Sequence, residues 1–157
     1  MDAFVIAVDD PRREDVRALL EQHLAFARAV TRPEDVYALD VEGLLDPAIT
    51  LFSLREYGAL LAVGALKELE PEHVELKSMH TAAAARRRGV GRTLLEHLLS
   101  VAAERGFRRV SLETGAGEPF APARALYESA GFVPCGAFGG YEVSPNRALM
   151  TLFLGDG

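Results

Sequence analysis

The sequence predicts a mixed α/β protein built on a mostly antiparallel sheet, and two observations predict it. Three strand-like runs, Ile49 to Leu54, Ala59 to Leu69 and His73 to Thr81, follow one another with only Glu56-Tyr57-Gly58 and Glu70-Pro71-Glu72 between them. Turns that short join antiparallel neighbours. On either side of this meander, apolar residues recur at spacings of three and four, the period of an amphipathic helix.

In chain order, residues 3 to 8 read as a first strand. Asp9, Asp10 and Pro11 follow as a helix start, with carboxylates to cap free N–H groups and a proline preset for the first turn. Val16, Leu19, Leu20, Leu24 and Ala27 then line one face of a first helix, and residues 33 to 45 read as a second, shorter helical stretch. After the meander, Gly89 to Arg105 carries Val90, Leu94, Leu95, Leu98, Val101 and Ala102 at helical spacing and stops at Gly106, a suitable C-cap. Arg108 to Glu113 is a further strand and Ala121 to Ala130 a further helix. Phe132 onward, with Ala148 to Leu154, supplies closing strands. No fixed-period repeat, low-complexity tract or long linker divides the chain, so residues 1–157 read as one domain.

Composition narrows the functional classes. Hydrophobic residues make up 49% and charged residues 25% of the 157, as expected for a folded, soluble chain with a core of its own. The longest strongly apolar stretch, Gly58 to Leu66, is far too short to span a bilayer. Met1, Asp2, Ala3 and Phe4 lack the basic start of a secretory leader, and Cys135 is the only cysteine, so a reducing cytoplasm is the expected compartment. A formal charge of −6 opposes broad phosphate-backbone binding, so no nucleic acid partner is expected, nor a membrane. No metal-ligand spacing emerges.

Against that acidic background, Arg86, Arg87, Arg88 and Arg92 concentrate positive charge around Gly89-Val90-Gly91, between a strand and a helix. Glycines there let the chain turn tightly, so N–H groups at the helix start can face a phosphate while the helix dipole and the arginines favour negative charge. A diphosphate is the ligand such a loop would hold. No Gly-Lys-Ser/Thr ends it, which excludes a Walker loop. A dinucleotide fingerprint would need a third glycine where Leu94 stands, and the 66 residues after Gly91 leave little room for a doubly wound sheet.

Arg86, Gly89 and Gly91 instead match the pyrophosphate loop Gln/Arg-x-x-Gly-x-Gly/Ala of the GNAT superfamily of acetyl-CoA-dependent N-acetyltransferases. Glu75-Leu76-Lys77-Ser78-Met79-His80-Thr81 resembles that family's fourth strand, and Leu126-Tyr127-Glu128-Ser129-Ala130-Gly131-Phe132 its Leu-Tyr-Glu-x-x-Gly-Phe element. Gly64 to Leu69, Ser111 to Gly115 and Phe120 to Arg124 further resemble a bacterial subgroup, the YsnE-like acetyltransferases. The resemblance implies a twisted sheet of about six or seven strands flanked by about four helices. It also implies acetyl-CoA as cosubstrate, held by Met79, His80, Thr81, Arg86, Arg87, Arg88, Gly89, Val90, Gly91, Arg92, Phe120 and Ala123. Ala83 and Ala85 replace the proline and aromatic that many relatives carry before the loop, and Phe120 stands near a common asparagine.

Acetyl transfer to an amine needs a neutral nucleophile, a stabilised oxyanion and a proton for the departing thiolate. The resemblance assigns that proton to Tyr127, polarisation of the acetyl carbonyl to backbone around Met79 and Thr81, and the base to Glu75. Glu75 is read as sharing one strand face with Lys77, Met79 and Thr81. Glu68, His80 and Glu113 compete for the role of base. His23, on the apolar stripe of the first helix, reads as a packed or partly exposed helix position, and Cys135 as a buried small hydrophobe. The leading function is acetylation of a primary amine on a small molecule or peptide by direct attack in a ternary complex; the alternative is a catalytically silent module that binds acetyl-CoA. The acceptor walls are expected from the first two helices, their connection and Gly136 to Asn146. A homodimer is compatible with the sequence.

Overall fold

The structure, a computed structural model, describes residues 3–36 and 38–155. Met1 and Asp2, part of the segment read for a leader, and Tyr37, within the expected second helix, lie outside the described residues. The described residues form seven strands and three α-helices: β1 (Phe4–Val8), α1 (Glu14–Val30), β2 (Ile49–Glu56), β3 (Ala59–Glu70), β4 (His73–Thr81), α2 (Val90–Glu104), β5 (Arg109–Gly115), α3 (Ala121–Ser129), β6 (Val133–Pro134) and β7 (Arg147–Phe153). They form one sheet in the order β1-β2-β3-β4-β5-β7-β6, antiparallel at every junction except the parallel β4–β5 pair.

Two local expectations change. The first helix starts at Glu14, after a turn in which the Asp10 carboxylate accepts the Arg12 N–H at 2.9 Å and its carbonyl the Arg13 N–H at 3.0 Å. Asp9 turns to β2, where Ser53 Oγ donates to it at 2.5 Å and Arg55 pairs with it at 3.2 Å. The expected helix over 33–45 is two 3-10 turns, Pro33–Asp35 and Gly43–Leu45. Asp40 ends any continuous helix there, its side chain accepting the Gly43 N–H at 2.9 Å in competition with helical backbone bonds.

The sheet carries a separate core on each face. Phe52, Leu54, Ala62, Leu66, Val74, Leu76, Val110, Leu112 and Met150 face α2 and α3, where Leu94, Leu95 and Leu98 are completely buried. Each such leucine is worth roughly 1.5–3 kcal/mol relative to exposure. Leu51, Val63 and Ala65 face the other way, onto Val16, Leu19 and Leu20 of α1.

Strand β4 departs from simple alternation at the point that matters for function. Ala65 pairs with Lys77 but Val63 pairs with His80, so β4 holds one extra residue, and Ser78 takes a left-handed φ of 56°. Such a bulge re-aims the side chains beyond it. Met79 therefore packs over Gly64 on the α2 face, where a Cβ on Gly64 would come within 2.5 Å of the Met79 sulfur. The expected shared face of Glu75, Lys77, Met79 and Thr81 is thereby split: Glu75 and Lys77 face the α1 side, joined by His80, whereas Met79 and Thr81 face α2.

Candidate active site

The parallel rungs between β4 and β5 run only from His73–Arg109 to Glu75–Ser111. Beyond them the strands part, opening a cleft of about 600 Å³. It is lined from the α2/α3 face by Val90, Leu126 and Tyr127 and from the α1 face by His23, Glu75 and Glu113, so it reaches from one side of the sheet to the other.

One end is the arginine-glycine loop. Arg87 and Gly89 adopt left-handed φ values of 66° and 76°, which turn the chain sharply into α2. Gly89 is the N-cap and no side chain caps the helix; its carbonyl already receives the Thr93 N–H at 3.0 Å. The first-turn N–H groups of Val90, Gly91 and Arg92 have no carbonyl one turn earlier to receive them, and these residues line the cleft, an arrangement that suits a bound anion. At Gly91 a Cβ would fit the protein, 3.4 Å from Thr81 Oγ1 and 3.6 Å from Leu126, but would occupy cleft space. Arg86 and Arg87 line this end. Arg92 also lines it and is tied at 2.6 Å to Ser129 Oγ. Arg88, also expected to bind the cofactor, pairs with Glu56 at 2.8 Å, lies over the Phe4 ring and is not among the residues lining the cleft.

The walls hold the remaining expected residues: Met79, His80, Thr81, Phe120, Ala123 and Tyr127 all line the cleft. Phe120 takes the space left by Gly115, where a Cβ would collide with its ring, and meets Phe26 of α1 edge to face at 5.4 Å. Tyr127 is held by an edge-on contact with Phe132, and burial raises its phenol above the ordinary range, which keeps it protonated near neutral pH.

The other end is polar. Glu75 Oε2 accepts a 2.6 Å hydrogen bond from the Tyr141 hydroxyl and lies 3.0 Å from Lys77 Nζ, which is itself 2.8 Å from the Tyr141 oxygen. Glu113 sits diagonally across on β5, 3.8 Å from Arg147 Nε. Burial pushes its carboxyl up to about 7, opposed in part by Arg147 and Lys77. His23 Nδ1 and His80 Nδ1 meet at 3.2 Å. Burial holds both imidazoles down to about 4, with the His23 and Arg86 charges adding to the effect at His80, so both are neutral near pH 7.

Glu68, an expected competitor for the base, lies exposed on β3, away from the cleft. His23, read as a packed or partly exposed helix position, packs on His80 and lines the cleft. Tyr141, Asp35 and Asn146 line it without having been singled out from sequence. The only signal was that their segments, between the first helix and the meander and from Gly136 to Asn146, were expected to wall the acceptor. Cys135 packs partly exposed beside Phe138, Tyr141 and Leu149, and burial raises its thiol, which keeps it protonated. Among the described residues no group of three or more His, Cys, Asp or Glu could hold a metal, and no helix is long and apolar enough to cross a membrane.

The profile of the acetyltransferase (GNAT) family matches residues 14–132, a span containing the loop, the split strands and Tyr127. The chain belongs to that family. This GNAT acetyltransferase is 43% identical over 146 residues to the N-acetyltransferase YsnE of Bacillus subtilis (strain 168), covering 93% of this chain and 97% of YsnE. It is 40% identical over 151 residues to the N-acetyltransferase YedL of Escherichia coli (strain K12), covering 96% and 95%. In fold it resembles an acyl-CoA N-acyltransferase structure from Klebsiella pneumoniae, with a TM-score of 0.79 at 24% identity, covering 98% of this chain and 99% of that one. It also resembles a GNAT acetyltransferase from Elizabethkingia anophelis, solved with acetyl-CoA bound, with a TM-score of 0.73 at 16% identity over 98% and 100% of the two chains. The seven-stranded sheet agrees with the fold expected from sequence; the helices number three because the 33–45 segment forms 3-10 turns.

Proposed function

We propose that this GNAT acetyltransferase moves the acetyl group of acetyl-CoA to a primary amine of a small molecule or peptide, by direct attack in a ternary complex, with residues 1–157 acting as one catalytic domain. The observation that carries this reading is the through-sheet cleft, with an uncapped helix start and arginines at one end, carboxylates at the other and a buried phenol on its wall. The acetyl-CoA held by the Elizabethkingia structure and the names of YsnE and YedL support it.

In this reading the N–H groups of Val90, Gly91 and Arg92, with Arg86 and Arg87, hold the diphosphate. Met79, His80 and Thr81 run beside the pantetheine, on the strand edge that β5 leaves unpaired beyond Glu75. Phe120 and Ala123 close the opposite wall.

A carboxylate on the α1 face takes a proton from the incoming ammonium, leaving a lone pair on nitrogen. A C–N bond then forms at the acetyl carbonyl and the C–S bond breaks, while Tyr127 passes its phenolic proton to the departing sulfur; the nitrogen gives up its second proton to solvent to become the neutral amide, and a proton from solvent restores the phenol. One feature favours Glu113 over Glu75 for the first proton. Oε2 of Glu75 already receives two donors, whereas Glu113 is poised near 7, where a base can both hold and release a proton. Glu75 then fixes Tyr141 and Lys77 at the cleft wall. Neither nucleic acid nor a membrane has a place in this reading, since the one arginine cluster is committed to the cosubstrate.

The test is incubation with acetyl-CoA and a panel of primary amines, following free thiol and product mass. Thiol release matched by a product heavier by one acetyl group supports the reading. Acetyl-CoA binding with no transfer to any amine would favour the silent binding module.

A further inference from the structure

The α1 side of the cleft carries three carboxylates against two cations, a net negative balance. Asp35, Glu75 and Glu113 line it. Among the described residues of that side, Lys77 is the only lining cation, and its ammonium is already engaged by Glu75 at 3.0 Å and Tyr141 at 2.8 Å, with 9% of the side chain exposed. Arg147 stands behind this wall, 3.8 Å from both Asp35 and Glu113, with its guanidinium donating to the Glu142 carbonyl at 2.8 Å. The remaining lining cations, Arg86, Arg87 and Arg92, belong to the loop assigned to the cosubstrate. Between these charges the surface is apolar or neutral, with Phe26, Val36 and Ala38 beside the uncharged His23–His80 pair.

Such a wall attracts an ammonium and accepts an alkyl or aromatic body, but presents no uncommitted cation to a carboxylate. An anionic group beside the amine would be brought toward Asp35, Glu75 and Glu113, and like charges placed together are penalised. Building on the acetyl-transfer reading above, we infer that the acceptor is an alkyl- or arylalkylamine with no carboxylate near its nitrogen, and that free α-amino acids are excluded.

Matched pairs that differ by one carboxylate beside the only amine test this: phenethylamine against phenylalanine, tyramine against tyrosine, and isoamylamine against leucine. Each compound is assayed for kcat/KM with acetyl-CoA and, independently of turnover, for binding to the protein saturated with CoA by calorimetry. The amine is expected to exceed its amino acid by at least about tenfold in each pair, in both readouts. Asp35→Asn is expected to narrow that ratio more than it changes acetyl-CoA affinity. Absence of thiol release with every compound would overturn the acetyl-transfer reading while the calorimetric order still decides this one. Amino acids that equal or exceed their amines, or no binding by any of the amines, would overturn the inference.

Discussion

Tyr141 and Glu75, 66 residues apart, are joined by a 2.6 Å hydrogen bond inside the cleft wall. With Lys77 they close a ring of three contacts that pins the 136–146 segment to β4. Tyr141→Phe removes one of the two donors to the buried Glu75 carboxylate, and a hydrogen bond to a charged group is worth about 1.5–3 kcal/mol, the loss expected in urea unfolding. An unfolding midpoint equal to that of the unmodified protein would mean that the ring does not form in solution.

The carboxyl of Glu113 gives the reaction a pH signature. With its folded pKa raised to about 7, it becomes an effective base only as pH rises through that value, so kcat/KM should climb there. Glu113→Gln should remove this limb and cost roughly 10²–10⁴-fold, the scale for a positioned base. Glu75→Gln should retain it. If the limb disappears in Glu75→Gln and persists in Glu113→Gln, the roles are reversed. Stability follows with its own sign. Because the folded pKa lies above the unfolded one, Glu113 stabilises below about 4.3, and that contribution is lost as pH rises through about 7. The melting temperature of Glu113→Gln relative to the unmodified protein should therefore be higher at pH 8 than at pH 5.

Gly89 and Gly91 should fail for different reasons. A Cβ at Gly89 meets no atom within 4 Å but is strained by the φ of 76°, so Gly89→Ala should lose roughly 1–2 kcal/mol of stability. Gly91→Ala fits the protein and should fold normally, yet its methyl enters the space that backbone approach to a diphosphate requires. Calorimetry should show acetyl-CoA binding weakened at least tenfold in Gly91→Ala, with melting unchanged. Full affinity in that variant would remove the diphosphate from this loop.

Tyr127→Phe keeps the ring packed against Phe132 and removes only the hydroxyl. Acetyl-CoA affinity and unfolding midpoint should be nearly retained, while the chemical step falls about 10²–10⁴-fold. Raising the pH should not restore it, because the missing proton goes to the leaving sulfur and not to the amine. Turnover at the level of the unmodified protein in this variant would assign the acid elsewhere.

Period and punctuation carried most of the fold. The bounds of β4 and the run of buried residues in α2 follow from alternation, helical spacing and Gly106, because those elements are set by which face they bury. The bulge at Ser78 escaped, since nothing in Lys77-Ser78-Met79 distinguishes a regular strand from one with an inserted residue; it shows only in the register against β3, between the Val63–His80 and Ala65–Lys77 pairs. The loop at Arg86 to Arg92 was legible because glycine spacing and charge are local. Contacts such as His23 with His80, 57 residues apart, and Tyr141 with Glu75 were not, because each is created by tertiary packing between segments with no shared motif.

Direct transfer in a ternary complex is tested most directly by thiol release, followed by rapid mixing at saturating acetyl-CoA, first without and then with an amine that the panel shows to be acetylated. Without the amine, thiol should stay at the rate of buffer hydrolysis; with it, one thiol should appear for each acetylated product molecule, in step. A burst of thiol equal to the enzyme concentration before any amine is added would show an acetyl-enzyme intermediate and contradict direct attack across the β4–β5 cleft.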